Sequence, residues 1–245
     1  MAQIHAPPPL DAVERAALFL DFDGTLVALA DRPGAISVSL QLPDLLERLA
    51  RRLGGRVAVL TGRALADLES HLAIRGIALS GSHGLERRSP TVPPPPPPPG
   101  LADARAAFGA FARQADGVLV EEKPASIALH YRLAPEREAE ALALVEALAA
   151  RTGLIVQRGK MVVELRPPGA DKGDALRALM AEPPFAGARP VFVGDDLTDE
   201  DGFRAAAALG GFGVLVGPLR ATAAAWRLPD VDAVHAWLEA AAGGG

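Results

Sequence analysis

Asp21 and Asp23 stand two residues apart in the run Leu18-Phe19-Leu20-Asp21-Phe22-Asp23-Gly24-Thr25-Leu26. That layout suits phosphoryl transfer through an aspartyl phosphate. If strand geometry carries through the pair, their side chains share a side while Phe22 turns into the opposite layer. Two carboxylates so close repel each other unless a cation lies between them. A hard ion such as Mg2+ would remove that repulsion and leave Asp21 ionised as a nucleophile. Asp23 could then act as general acid toward a leaving alkoxide, and afterwards as base toward the water that cleaves the acyl phosphate. Gly24 permits a tight turn, and Thr25 can hydrogen-bond the loop. A strand running into an Asx turn with two solvated aspartates would give the same local sequence, so the rest of the chain must decide.

The elements that would position these acids are short, continuous apolar runs. Ala17 to Leu20 reads as a central parallel strand buried on both faces, with the aspartates where it leaves the sheet. Ligands of open α/β sheets bind at such carboxyl ends. Arg56 to Leu60 is a second such strand, ending in Thr61-Gly62-Arg63. Asp171-Lys172-Gly173-Asp174 opens a helix from Ala175 to Met180, and Pro190 to Val193 is a further strand running into Gly194-Asp195-Asp196-Leu197-Thr198-Asp199-Glu200-Asp201. Asp199 and Glu200 would also suit the first turn of a helix.

In this order the four segments resemble the four motifs of the haloacid dehalogenase superfamily. The resemblance implies Asp21 as nucleophile and Asp23 as acid and base. It implies that the Thr61 hydroxyl holds a phosphate oxygen and that Lys172 neutralises both the nucleophile and the phosphoryl group. Mg2+ would be held by the Asp21 carboxylate, the Asp23 backbone carbonyl and Asp195, and Asp199 would stand behind them to orient a water or Lys172. Asp196 receives no role.

Composition narrows the classes of partner. The net charge of −5 over 245 residues disfavours nucleic acid. No apolar run approaches the roughly 18 to 20 residues of a membrane span, and Met1 to Leu10 lacks the basic start and apolar centre of a signal peptide. There is no cysteine, hence neither disulfides nor thiolate metal sites. A cytoplasmic monomer that meets neither nucleic acid nor membrane, and takes a small-molecule sugar phosphate as its partner, is the expectation.

The organisation is broken by proline. Pro93 to Pro99 should form a polyproline II rod of about 3 Å per residue, a semi-rigid connector. Beyond it, Leu101 to Gln114 and Pro135 to Arg151 read as helices. The runs Val118 to Lys123 and Ser126 to Arg132 read as one hairpin, and Leu154 to Arg158 and Lys160 to Arg166, split by Gly159, as another. The expected fold class is therefore α/β: a Rossmann-like parallel-sheet core, residues 1–100 and 168–245, with an α+β unit inserted at 101–167. The superfamily places its larger type of cap at this position, and such a cap supplies specificity contacts and excludes water.

The strands of the inserted unit carry selected charges. Glu121 and Lys123 should share a face, as should His130 and Arg132, and Lys160 and Glu164. They could be ion pairs on a solvated sheet face, or together a plate of donors and acceptors suited to sugar hydroxyls. The set of segments, with Gly81-Ser-His-Gly-Leu-Glu86, Glu121-x-Lys123, His130-Tyr-Arg132 and Lys160-Met-Val-Val-Glu-Leu-Arg-Pro167, resembles the trehalose-6-phosphate phosphatases nearly end to end. By that resemblance His83 and Gly84 lie near the phosphate-bearing glucose, Gly62 and Arg63 also bind substrate, and Glu121, Lys123, Arg132, Lys160 and Glu164 bind from the cap. Pro124 departs from the family's usual glycine and puts the shape of that turn in question. A phosphatase of another sugar phosphate, such as sucrose or mannosylglycerate phosphate, or a non-catalytic sugar-phosphate sensor, would share part of the pattern.

Overall fold

The computed structural model describes residues 7–29, 36–88, 97–159, 161–168 and 171–243. The predicted proline rod thus lies mostly outside the described residues, as does Lys160. The chain divides into two compact units, Met1–Pro94 with Asp171–Gly245, and Pro95–Ala170.

The first unit is built on β1 (Ala16–Leu20), β2 (Val57–Leu60), β3 (Ala78–Gly81), β4 (Glu86–Arg88), β9 (Arg189–Gly194), β10 (Phe212–Val216) and β11 (Trp226–Leu228). They form one seven-stranded sheet in the order β11-β10-β9-β1-β2-β3-β4. Every pairing is parallel except that of β3 with β4. All five residues of β1 are buried, and their alternation serves two layers. Leu18, Leu20 and Phe22 join one apolar cluster; Ala17 and Phe19 join the other. Each fully buried leucine or phenylalanine here contributes about 2 kcal/mol of transfer free energy.

The helices on each side follow from spacing. In α1 (Leu42–Arg52), Leu42, Leu45, Leu46 and Leu49 fall on one stripe and are buried, and Arg51 and Arg52 close the last turn, where the helix dipole favours cations. α7 (Val231–Gly243) answers with Val234, Trp237, Leu238 and Ala241. On the other face, α5 (Lys172–Met180) buries Ala175, Leu176 and Leu179, and α6 (Glu200–Ala208) buries Phe203, Ala205 and Ala206. α2 (Leu65–His71) is short and follows the turn after β2. The chain builds β2 to β4 on one side of β1 and β9 to β11 on the other. The strand order therefore reverses at β1 and β9, the place where open α/β sheets leave a crevice at their carboxyl ends.

The second unit contains α3 (Leu101–Ala112), β5 (Leu119–Glu122), β6 (Ile127–His130), α4 (Glu138–Thr152), β7 (Ile155–Gly159) and β8 (Val162–Arg166). Its four strands are all antiparallel, in the order β5-β6-β8-β7, so the two hairpins join through β6 and β8. One face, with Ile127, Leu129, Val163 and Leu165, packs with Leu101, Ala104 and Phe108 of α3 and Ala141, Val145 and Leu148 of α4. Register sets Glu121, Ala128, Glu164 and Gln157 in a row across the opposite face.

One expectation is corrected here. β6 ends at His130, and Arg132 is exposed in a turn in which the Ala134 amide donates to the Tyr131 carbonyl at 3.0 Å. Arg132 therefore does not share a strand face with His130. The Tyr131 amide is taken by the Met161 carbonyl at 3.1 Å, and the chain bends away after it. The turn at Pro124, by contrast, closes normally: the Lys123 amide donates to the Ser126 carbonyl at 3.0 Å.

Candidate active site

Asp21 follows β1 and Asp195 follows β9, and these neighbouring strands are joined beside the site by the Asp21 amide donating to the Val193 carbonyl at 2.9 Å. Lys172 is the first residue of α5, whose start is fixed by the Asp171 side chain accepting from the Asp174 amide. Its Nζ lies 2.6 Å from Asp21 Oδ1 and 2.6 Å from Asp199 Oδ1. All three side chains are buried. The second Asp199 oxygen accepts the Asp196 amide at 2.9 Å. Carboxylate oxygens of Asp21, Asp195 and Asp199 lie within 4.8 Å of one another.

Two glycines admit this crowding. Gly24 has φ +80°, and a Cβ there would fall 2.1 Å from Asp195 Oδ2. At Gly194 a Cβ would fall 2.3 Å from Asp199 Cγ. The Thr25 hydroxyl completes the contact to Asp195 Oδ1 at 3.4 Å.

Three carboxylates, Asp21 and Asp199 buried and Asp195 half-buried, surround one ammonium, and the electrostatics show the imbalance. Burial pushes Asp21 well above its ordinary range; Lys172 opposes this, while Asp199 and Asp195 add to it. Burial and then the Asp199 charge push Asp195 up to about 6. Burial works against the Lys172 ammonium, but Asp21 and Asp199 outweigh it and hold the group above its ordinary value. Such a set of hard oxygen donors with excess negative charge fits a divalent cation of the Mg2+ class. Asp21 and Asp195 would hold it, because Asp199 already commits one oxygen to Lys172 and the other to a backbone amide.

Asp23 has a different partner. Arg63 grips its carboxylate with two hydrogen bonds of 2.6 Å, reaches Asp67 at 2.7 Å, and stands 5.8 Å from the Phe22 ring centre. These bonds, that to Asp23 foremost, hold the guanidinium above its ordinary value. Thr61 is buried, and its hydroxyl accepts the Arg63 amide at 3.1 Å. Gly62 between them is exposed. The Arg63 carbonyl in turn accepts the Ser82 amide at 2.7 Å.

That last bond ties in the Gly81 to Glu86 segment. Buried Glu86 accepts the Ser82 hydroxyl and the Leu65 amide, the latter at 3.3 Å, which locks Ser82 at φ 48°. His83 and Gly84 lie in the ensuing 3-10 turn, Ser82–Gly84, and a Cβ on Gly84 would come within 3.0 Å of the Asp171 carbonyl. The turn thus sits against the start of α5, beside Lys172.

In the second unit, the polar sheet face is knit by ion pairs. Lys123 Nζ lies 3.2 and 3.3 Å from the two Glu164 oxygens and 3.9 Å from Glu121. The Ser126 hydroxyl donates to Glu164 at 2.5 Å, and His130 Nε2 meets Glu121 at 2.8 Å. The two readings of these charges are compatible, since they pair with one another on the face that the unit's own helices leave open.

Sequence reasoning missed Arg220 and Glu200. The Arg220 guanidinium bonds Glu200 and donates to the carbonyls of Asp195 and Asp196 at 3.3 and 2.7 Å. Burial pushes Glu200 up, but the Ala223 amide, the Thr222 hydroxyl and Arg220 together bring it below its ordinary value. Asp196, left without a role, caps the following turn by accepting the Leu197 amide at 2.7 Å. The sequence marked Asp199 and Glu200 as suited to a first helical turn, whereas nothing local marked Arg220.

Comparison with known proteins agrees with this geometry. A family described as trehalose-phosphatase matches residues 19–232. The chain is 41% identical over 231 residues to a probable trehalose-phosphate phosphatase of Sinorhizobium fredii, covering 92% of this chain and 87% of that one. Among solved structures, Aspergillus fumigatus trehalose-6-phosphate phosphatase superposes with a TM-score of 0.68 at 27% identity, covering 98% of this chain and 100% of that one. A phosphatase of the haloalkanoate (HAD) enzyme superfamily from Bacteroides thetaiotaomicron shares the fold, with a TM-score of 0.64 at 17% identity over 95% of this chain and 96% of its own. With its α/β fold of the HAD phosphatase type and a match across most of its length, the chain belongs to the trehalose-phosphatase family.

Proposed function

We propose that this enzyme hydrolyses trehalose 6-phosphate to trehalose and phosphate through an aspartyl phosphate on Asp21, with Mg2+ as cofactor. The observation that carries the reading is the Lys172 ammonium shared at 2.6 Å between buried Asp21 and Asp199, beside half-buried Asp195, in a cluster with excess negative charge. A bound Mg2+ would supply positive charge to the phosphoryl oxygens and keep Asp21 ionised. Lys172 and the Thr61 hydroxyl hold the phosphoryl group in line with Asp21. The Asp21 oxygen attacks phosphorus as the bond from phosphorus to the sugar C6 oxygen breaks, and that oxygen takes its proton from Asp23. Water then attacks the phosphorus of the acyl phosphate, gives a proton to Asp23, and the Asp21 carboxylate is restored. Arg63 grips both Asp23 side-chain oxygens at 2.6 Å, so the proton transfers at Asp23 require that pair to loosen.

The unit Pro95–Ala170 is read as the cap domain, its open face the sugar-reading surface. Glu121, Lys123 and Glu164 offer donors and acceptors there, a selection that penalises a missing hydroxyl strongly. Lys160, His83, Gly84, Gly62 and Arg132 keep their substrate-binding roles as part of this proposal. No helix among the described residues is long and apolar enough to cross a membrane. A cytoplasmic monomer acting on a small sugar phosphate, in trehalose biosynthesis, completes the reading.

Phosphate release over a panel of sugar phosphates, with Mg2+ and with chelator, tests it. Trehalose 6-phosphate should exceed sucrose 6-phosphate and mannosylglycerate phosphate in kcat/KM, and chelation should stop release. Preference for another sugar would transfer the substrate assignment, and tight sugar-phosphate binding without release would make the protein a sensor.

A further inference from the structure

The loop that carries Asp195 is held from behind by a side chain twenty-five residues further along the chain. β9 and β10 are parallel neighbours, so the loop after β9 (195–199) and the loop after β10 (217–225) leave the same sheet edge side by side. Arg220 bridges them. One terminal nitrogen donates to the Asp196 carbonyl at 2.7 Å and the Asp195 carbonyl at 3.3 Å. The other donates to Glu200 and to the Ala221 carbonyl, the latter at 3.2 Å. The second Glu200 oxygen accepts the Ala223 amide at 2.8 Å, which closes the bridge into a ring.

Two features separate this from an ordinary surface ion pair. The side chains are 24% and 12% exposed, against 59% and 42% for Arg204 and Asp201 on the same helix. Exposed pairs of the latter kind contribute only about 0–1 kcal/mol. The Arg220 pair also spends its donors on main-chain carbonyls of the very residues that must aim a carboxylate. A planar fork reaches four acceptors on two loops and the start of α6 at once, which a lysine ammonium does not.

We propose that Arg220 and Glu200 are positioning residues that fix the backbone of Asp195, and thereby the direction of its carboxylate toward the divalent cation. This rests on the reading of Asp195 as a metal ligand. Asp195 is confined in front by Gly24 and Thr25 and behind by Arg220, and loss of the rear contact leaves the carboxylate free to turn away.

The test is direct binding of Mn2+ as a Mg2+ surrogate, followed by the loss of its free electron-spin signal, together with the Mg2+ dependence of phosphate release. Arg220→Gln and Glu200→Gln should each weaken Mn2+ binding about tenfold or more, the usual size for loss of a group that orients a metal ligand. They should raise the Mg2+ requirement equally and leave the KM for substrate at saturating Mg2+ unchanged. Arg220→Lys should fall between, guanidinium ion should restore binding to Arg220→Ala and not to Glu200→Gln, and Arg204→Ala should bind Mn2+ as the parent does. Unchanged Mn2+ affinity in folded Arg220→Gln overturns the proposal; if that variant does not fold, unchanged affinity in Arg220→Lys does so. Failure of the parent to bind Mn2+, or Mn2+ binding that survives Asp195→Asn, overturns the metal reading and this proposal together.

Discussion

The molecule handles charge in two opposite ways. Around Asp21, Asp199 and Lys172 are packed out of water and Asp195 is half-buried, with the signs unbalanced. On the open face of β5, β6 and β8, Glu121, Lys123, Glu164 and His130 are partly solvated and paired among themselves. Desolvation makes each contact in the first set strong and each missing one costly. In the second set solvent screens the Glu121–His130 pair, while Lys123 and Glu164, 19% and 17% exposed, are more enclosed but balanced in sign. In the proposed mechanism, chemistry that develops charge at phosphorus would use the unbalanced cluster, and recognition of hydroxyls the paired, more accessible face.

Substitutions should separate the two regions by size and by kind. Asp21→Asn should abolish release of phosphate from every substrate, a loss on the order of 10^5-fold or more as for other nucleophiles; normal turnover would remove Asp21 from its role. Lys172→Met should cost about a thousandfold in rate and, because it strands buried carboxylates, about 3–5 kcal/mol of stability in the absence of metal. Urea melts with and without Mg2+ check the second part, and a metal-free protein as stable as the parent would contradict it. Glu164→Ala should lower kcat/KM for the sugar phosphate by roughly ten- to a hundredfold, the worth of a hydrogen bond to a charged group. It should spare turnover of p-nitrophenyl phosphate, and an equal loss on both substrates would break the distinction between regions.

The pH response sharpens the same contrast. Asp195 sits at about 6 in the folded protein, above its ordinary value near 3.8. An acid raised on folding favours the native state below its unfolded value, and that contribution is lost as pH rises through the folded one. Metal-free protein should therefore lose this part of its stability between about pH 4 and 6. The Tm gain on adding Mg2+ should grow over the same window, since the ion then displaces fewer protons. A Mg2+ gain independent of pH would separate Asp195 from the ion. The smallest effect is expected at Arg132, exposed in its turn: Arg132→Ala should change stability by less than about 0.5 kcal/mol, so any larger rise in KM reports sugar contact rather than packing.

The two regions also differed in how far the sequence disclosed them. β1 and β9 were legible because parallel strands buried on both faces are written as unbroken apolar runs, and the acids at their ends followed. Strand pairing in the second unit was legible from alternation and turn residues. Partner choice was not. The grip of Arg63 on Asp23 depends on how two loops meet, and so does the bridge from Arg220, which becomes visible only once β9 and β10 are neighbours. Arg132 was misplaced because alternation alone does not show where a strand stops; the turn at 132–133, closed by the Ala134 amide donating to the Tyr131 carbonyl, ended it. Glu86 has no chemistry of its own, yet it couples the Thr61 loop to the turn carrying His83.

The most direct test of the account is rapid acid quench of the Mg2+-loaded enzyme during turnover of trehalose 6-phosphate, with the protein digested and its phosphorylated peptide sequenced by mass spectrometry. The account predicts a hydroxylamine-labile phosphoryl group on Asp21, absent from Asp21→Asn. Phosphate carried by any other residue, or full turnover with no phosphoenzyme at any quench time, would contradict it.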